Sequence, residues 1–165
     1  MPGDTYYNDQ PLKFGDGPQL LLDDARVEDR VNLSRVLHQP IKFHRNPILL
    51  RDKPWEGSSA YRPQVIWDPQ QGRYRMWYQC ASRNASHGGG GPAYYVGYAE
   101  SDDGYEWHKP LMDGRPFGEH ARTNVVYTGA QDNGFTLGQV FRDESDPDPQ
   151  RRYKMVGNDA RPPPR

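Results

Sequence analysis

The stretch Pro63-Gln64-Val65-Ile66-Trp67-Asp68-Pro69-Gln70-Gln71-Gly72-Arg73-Tyr74-Arg75-Met76-Trp77-Tyr78 decides the fold class. Pro63 to Trp67 is β-branched and aromatic and reads as a strand. Asp68 to Gly72 collects the residues that turns demand. Arg73 to Ala81 reads as the returning strand. Moving outward, Ser82 to Pro92 is a loop rich in Gly, Ser and Asn, and Ala93 to Glu100 is a third strand. Ser101-Asp102-Asp103-Gly104 is a tight turn, with Gly supplying a positive φ. Tyr105 to Lys109 is then expected as a short fourth strand, stopped by Pro110. Four antiparallel strands in succession make a meander. Helical periodicity is confined to one weak candidate, Asp23 to Leu37, where Val27, Val31, Leu33 and Leu37 are loosely spaced. No crossover helix is available for a parallel sheet.

The chain then repeats itself. Val65-Ile66-Trp67-Asp68 and Arg73-Tyr74-Arg75-Met76 return as Val140-Phe141-Arg142-Asp143 and Arg152-Tyr153-Lys154-Met155. The first strands are offset by 75 residues and the second by 79, the extra four falling inside the turn from Asp143 to Gln150. A recurring four-stranded meander is the sequence sign of a β-propeller. The expected fold is therefore all-β, a five-bladed propeller of four-stranded antiparallel blades, with about one and a half blades present. Residues 1–60 form an N-terminal arm, 61–110 the first blade, 111–135 an inter-blade loop and 136–165 the start of a second blade. Propellers close with roughly four to eight blades, so the stretch reads as part of a longer protein, or as an oligomer if it is complete.

Composition sets limits. The 165 residues are only 34% apolar and include 17 Gly and 16 Pro, yet 12% are aromatic. That aromatic content argues against wholesale disorder. Lys and Arg number 21 against 22 Asp and Glu, so no basic field points to nucleic acid. No apolar run approaches the ~20 residues that cross a bilayer, and no membrane partner is expected. Met1-Pro2-Gly3-Asp4 opens no signal peptide, which leaves the compartment unknown and cytoplasmic only by default. The single Cys80 excludes an intramolecular disulfide and a cysteine-built zinc site. No His pair stands at metal-ligand spacing, and neither a metal nor a cofactor is expected. Gly88 to Gly91 lacks the Lys and Ser/Thr of a P-loop and reads as a connector.

Propeller geometry sorts the polar residues. The turns between first and second strands, and between third and fourth, share one face of the disc. Asp68, Asp102, Asp103, Asp143, Asp146 and Asp148 fall there and read as turn formers. The opposite face collects Asp52, Trp55, Glu56, Tyr61 and Arg62 before the first strand. It also collects Arg83, Asn84 and His87 in the Ser82–Pro92 loop, and Asn124, Asp132, Asn133 and Thr136 before the second blade. Aromatic faces stack on sugar C–H surfaces while carboxylates, amides and Arg bond hydroxyls, so this mixture points to a carbohydrate. Asp52 and Glu56 are the acid/base candidates. Trp55, Tyr61, Arg62, His87 and Asn124 are the substrate-binding candidates. His38, His44 and His120 read as structural.

Asn46-Pro47-Ile48-Leu49, Pro63-Gln64-Val65-Ile66, Arg73-Tyr74-Arg75-Met76-Trp77-Tyr78 and Val96-Gly97-Tyr98-Ala99-Glu100-Ser101-Asp102-Asp103-Gly104-Tyr105-Glu106-Trp107 resemble the opening of five-bladed propeller glycosidases. These are the invertase-like enzymes (glycosyl hydrolase family 32), the arabinanase-like enzymes (family 43) and the mannoside phosphorylases (family 130). The likeness is greatest to invertase-like N-terminal domains of bacterial proteins and spans residues 20–157. It implies hydrolysis of a glycosidic bond by paired carboxylates, or binding of a carbohydrate.

The catalytic pattern departs from the family. Where the arabinanase-like group has an Asp before the Pro that opens the first strand, this chain has Arg62. Arg142-Asp143-Glu144 matches only two positions of the invertase Arg-Asp-Pro motif, and the family's general acid belongs to a third blade. An acidic sugar would suit Arg62, because a guanidinium grips a carboxylate at two points. A non-catalytic carbohydrate-binding or protein-interaction propeller is the rival expectation.

Overall fold

The computed structural model describes residues 15–20, 22–24, 27, 29–82, 92–113 and 115–159. The chain divides into two units, 1–42 and 43–165. In the first unit, the described residues between Asp23 and Leu37 form no helix. Leu33 and Leu37 remain exposed, so no packed face rewards helical order. Asp24 instead gathers Arg30 at 3.1 Å and Arg35 at 2.6 Å.

The second unit is all-β. Its strands are β1 (Ser59–Asp68), β2 (Arg73–Ala81), β3 (Tyr94–Ser101), β4 (Val125–Tyr127), β5 (Phe135–Arg142) and β6 (Tyr153–Asp159). β1 to β4 form an antiparallel sheet in sequence order, and β5 pairs with β6 in a second sheet. The first three strands fall where sequence reading put them. The fourth does not. Asp103 accepts the amides of Tyr105 and Glu106, each at 2.8 Å, and Trp107 Nε1 donates to Gly104 O at 3.0 Å. These bonds turn the chain, leaving one bridge between His108 and Glu100. The remaining edge of β3 is taken by β4, from within the stretch read as an inter-blade loop.

Alternation along the strands separates two cores. On one face Met76, Tyr78, Cys80, Tyr95 and Ala99 pack with Trp55 and Val125. On the other, Val96 meets Phe135, Leu137 and Val140 of β5, with Ile66, Trp77 and Met155 around them. The second sheet thus lies on one face of the first. Tyr78 needs Gly97, since a Cβ there would stand 2.5 Å from Tyr78 Cζ.

Gln79 joins the sheets. It is fully buried. Its Oε1 accepts the Leu137 amide at 2.6 Å, and its Nε2 donates to Phe135 O at 3.0 Å and Tyr95 O at 2.9 Å. The β5 backbone is therefore satisfied by a side chain of the neighbouring sheet.

The repeat extends to register. Gln64↔Trp77, Val65↔Met76 and Ile66↔Arg75 in β1–β2 match Gln139↔Val156, Val140↔Met155 and Phe141↔Lys154 in β5–β6. Each first strand carries a bulge just before this segment, between Tyr61 and Gln64 and between Leu137 and Gln139. Arg75 pairs with Asp68 at 2.8 Å, and its counterpart Lys154 pairs with Asp143. The turn aspartates act as turn formers: Asp68 accepts the amides of Gln70 and Gln71, Asp143 that of Ser145, and Asp148 that of Gln150.

Gln79→Leu should lower the urea-unfolding free energy by about 1–3 kcal/mol, because it leaves the buried Leu137 N–H without its acceptor. Gly97→Ala should cost about 1–3 kcal/mol by overpacking against Tyr78.

Candidate functional site

The candidate residues are set by a single turn of 3-10 helix, Pro54–Glu56. Pro54 fixes φ at its start. Gly57 follows with φ +67, where a Cβ would lie 2.1 Å from Ala81 O. Only glycine fits this approach, and Ser58 N then bonds Ala81 O at 2.7 Å. The turn lays Trp55 and Glu56 against the end of β2.

Glu56 is 0% exposed. Its Oε1 accepts the Tyr78 hydroxyl at 2.7 Å and Lys109 Nζ at 2.5 Å, and its Oε2 accepts the Lys53 amide at 2.8 Å. Lys109 also donates to Asp52 Oδ1 at 2.7 Å and to Leu50 O at 2.5 Å. On the other side, Trp55 Nε1 donates to Asn124 Oδ1 at 2.6 Å. Asn124 Nδ2 donates to the Tyr78 oxygen at 2.5 Å and to Tyr98 O at 2.7 Å. The Tyr95 hydroxyl donates to Trp55 O. One directional chain therefore runs from Trp55 through Asn124 and Tyr78 to Glu56, which Lys109 neutralises.

Electrostatics follow from burial. Desolvation pushes the Tyr78 phenol far up, with the Glu56 carboxylate adding to the effect. Burial also raises the Cys80 thiol, with Glu56 adding to the effect, so it is an inert core group. The hydrogen bond from Lys109 holds the Asp52 carboxyl below its ordinary range, against a smaller opposing effect of burial.

Asp52, Trp55, Glu56 and Asn124 are thus brought together, but as partners of one another and of Lys109. Trp55 is buried with its ring edge against His120 at 5.1 Å, and Asn124 is buried with its amide committed. Neither is open to a sugar as described. Asp52 is half-exposed and ion-paired. His87, Arg83 and Asn84 lie outside the described residues. Lys109 and Tyr78 carried no sequence signal: Lys109 is 53 residues from Glu56, and Tyr78 reads only as a strand aromatic.

Tyr61 and Arg62 lie apart from this network, at the β1 bulge. Arg62 is exposed with φ +50, a left-handed conformation that costs a side-chain-bearing residue about 1–2 kcal/mol. Its guanidinium lies 5.7 Å from the Tyr61 ring centre. Among the described residues no carboxylate pairs with it. Its neighbours Tyr61 and Pro63 line a groove of ≈ 480 Å³ with Asn46, Pro47, Ile48, Leu49, Ala60, Met76 and Tyr78. Among the described residues no group of three or more His, Cys, Asp or Glu could hold a metal ion.

Lys109→Met should destabilise the protein by about 3–5 kcal/mol, leaving a buried carboxylate unpaired. Adding Glu56→Gln should recover part of that loss, measured by urea titration as a double-mutant cycle. Because the folded Asp52 carboxyl titrates low, its contribution is present above the ordinary carboxylate range and fades as pH falls through the lowered value. Asp52→Asn should therefore cost up to about 1 kcal/mol at neutral pH, the pair being half-exposed, and nothing once the acid is protonated.

No protein-family model, curated protein or solved structure matches this chain, and its own geometry carries the functional reading.

Proposed function

We propose that this chain is a non-catalytic carbohydrate-binding module of propeller type, its two hairpins being successive blades, and that its ligand is an acidic sugar. The observation that carries the reading is Arg62. It is an exposed guanidinium held in left-handed backbone, with no carboxylate partner among the described residues, between two residues that line a largely apolar groove. Strain of this kind clusters where a side chain must be aimed. A guanidinium offers two parallel donors to a sugar carboxylate. Pro63 and the aliphatic side chains beneath it would receive the sugar's C–H surface, and Asn46 would serve a hydroxyl.

Cleavage is the weaker reading. A glycosidase needs two carboxyl groups flanking the bond, about 5–9.5 Å apart according to mechanism. Of the two candidates, Glu56 is sealed from solvent and neutralised by Lys109.

Titration calorimetry with oligogalacturonate and oligoglucuronate, against neutral oligosaccharides of equal length, tests the proposal. The acidic sugars should bind and be recovered uncleaved. Arg62→Ala should weaken binding at least about tenfold, the scale of one lost charge-assisted hydrogen bond. Arg62→Lys should restore little, lacking the planar fork. Equal binding of acidic and neutral sugars, or binding that ignores Arg62, would overturn it.

A further inference from the structure

The groove beside Arg62 has a floor and a wall of different origin. Met76 and Tyr78 of β2 form its floor and belong to the buried core. Asn46, Pro47, Ile48 and Leu49 form one wall. Among the described residues this stretch enters no strand ladder, so a sheet does not hold it. It is held instead at both ends by the segment 105–109. Before the wall, the Phe43 ring lies 4.9 Å from the Tyr105 ring, and Arg45 forms an ion pair with Glu106. After the wall, Lys109 Nζ donates to Leu50 O at 2.5 Å and to Asp52 Oδ1 at 2.7 Å. The same ammonium bonds Glu56 at 2.5 Å, and Glu56 accepts the Tyr78 hydroxyl at 2.7 Å. The far pin of the wall is therefore tied to the floor as well. Between the pins, the Asn46 amide closes a turn on Phe43 O at 3.1 Å, and Leu49 packs on the core.

The segment 105–109 reaches the wall because it is not a strand. Asp103 accepts the Tyr105 and Glu106 amides, Trp107 packs on the core, and one bridge ties His108 to Glu100. In a fourth strand successive side chains would point to opposite faces of the sheet. The turn instead brings neighbouring Tyr105 and Glu106, and then Lys109, to one stretch of chain, residues 43–52. We propose that 105–109 is a buttress that fixes the groove wall, and that Glu106 is a positioning residue for the ligand the groove holds. Glu106 does not line the groove and acts on a ligand only through the wall. The effect on ligand rests on the acidic-sugar reading, whereas the support of the wall does not.

Charge exchange across the Arg45–Glu106 pair gives the test, since both side chains are exposed and their loss leaves the core intact. The backbone order parameters of Ile48 and Leu49, from nitrogen-15 relaxation, should fall from about 0.85 towards about 0.6 in Arg45→Glu and in Glu106→Arg. They should return when the two substitutions are combined. In calorimetry with oligogalacturonate, each single variant should bind about three- to fivefold more weakly, the scale of one exposed ion pair. The combined variant should regain the wild-type affinity. Glu106→Arg separates positioning from charge. An added cation attracts an anionic sugar, so a long-range field alone would tighten binding, whereas a displaced wall weakens it. Order parameters that do not move in the single variants overturn the buttress. So does tighter binding by Glu106→Arg, or a combined variant that regains neither property. If the wild type binds no oligogalacturonate, the acidic-sugar reading falls and takes the positioning role with it, while the order parameters still decide whether the wall is buttressed.

Discussion

The ion pair between Lys109 and Glu56 is the constraint around which the first sheet closes. A buried carboxylate is costly unless it is neutralised and its oxygens are bonded. Glu56 meets both conditions by drawing in three segments far apart in sequence. The 3-10 turn supplies the carboxylate, β2 supplies the Tyr78 hydroxyl, and the chain beyond β3 supplies Lys109. Because Asn124 bonds the same Tyr78 oxygen, the entry to β4 is fixed by the same network. The polar chain also covers one end of the core formed by Trp55, Met76, Tyr78 and Tyr95. An apolar substitute at Glu56 could fill the volume, but it could not specify which three segments meet.

Gln79 plays the corresponding part between the sheets. Apolar contact of Ile66 and Trp77 with Val140 and Met155 would tolerate sliding, since hydrophobic attraction is non-directional. The two-way bonding of one amide to the β5 backbone at Phe135 and Leu137 removes that freedom. It acts next to the β5 bulge, where the ladder to β6 shifts register. The division of labour is the same in both cores: apolar side chains supply most of the stabilisation, and one buried polar group sets alignment.

Much of this was legible in the sequence. The β-branched and aromatic runs from Pro63 to Glu100 match the first three strands because local propensity and turn chemistry agreed there. The aspartates at 68, 103, 143 and 148 behave as their turn contexts implied. The repeat was visible because Val-Met pairs and an Asp–Arg or Asp–Lys pair return at nearly constant spacing. What failed depended on longer range. Tyr105 to Lys109 has strand-like composition, but Asp103 captures two of its amides and bends it away. The gathering of Asp52, Trp55, Glu56 and Asn124 at one end of the sheet followed from strand order. Their mutual saturation did not, because it hinges on Lys109, whose neighbours in sequence are unremarkable and whose partner lies across the sheet.

The bulge before Gln64 shows how structural and functional demands can be separated within one feature. Because a register break recurs before Gln139, with one unpaired residue where the first hairpin has two, a break at this point belongs to the hairpin architecture. Its occupants differ. The second hairpin has Gly138, the residue with the widest backbone freedom. The first has Arg62, held at φ +50 and followed by Pro63. A proline there removes an amide donor at a point where the edge strand β1 has a break in its ladder, at little cost. The arginine gains nothing comparable: its side chain is exposed, and among the described residues its charge meets the Tyr61 ring. Glycine at that position would be the less strained solution. The fold therefore accounts for a break at this point and for the proline, but no contact within the described residues accounts for the guanidinium.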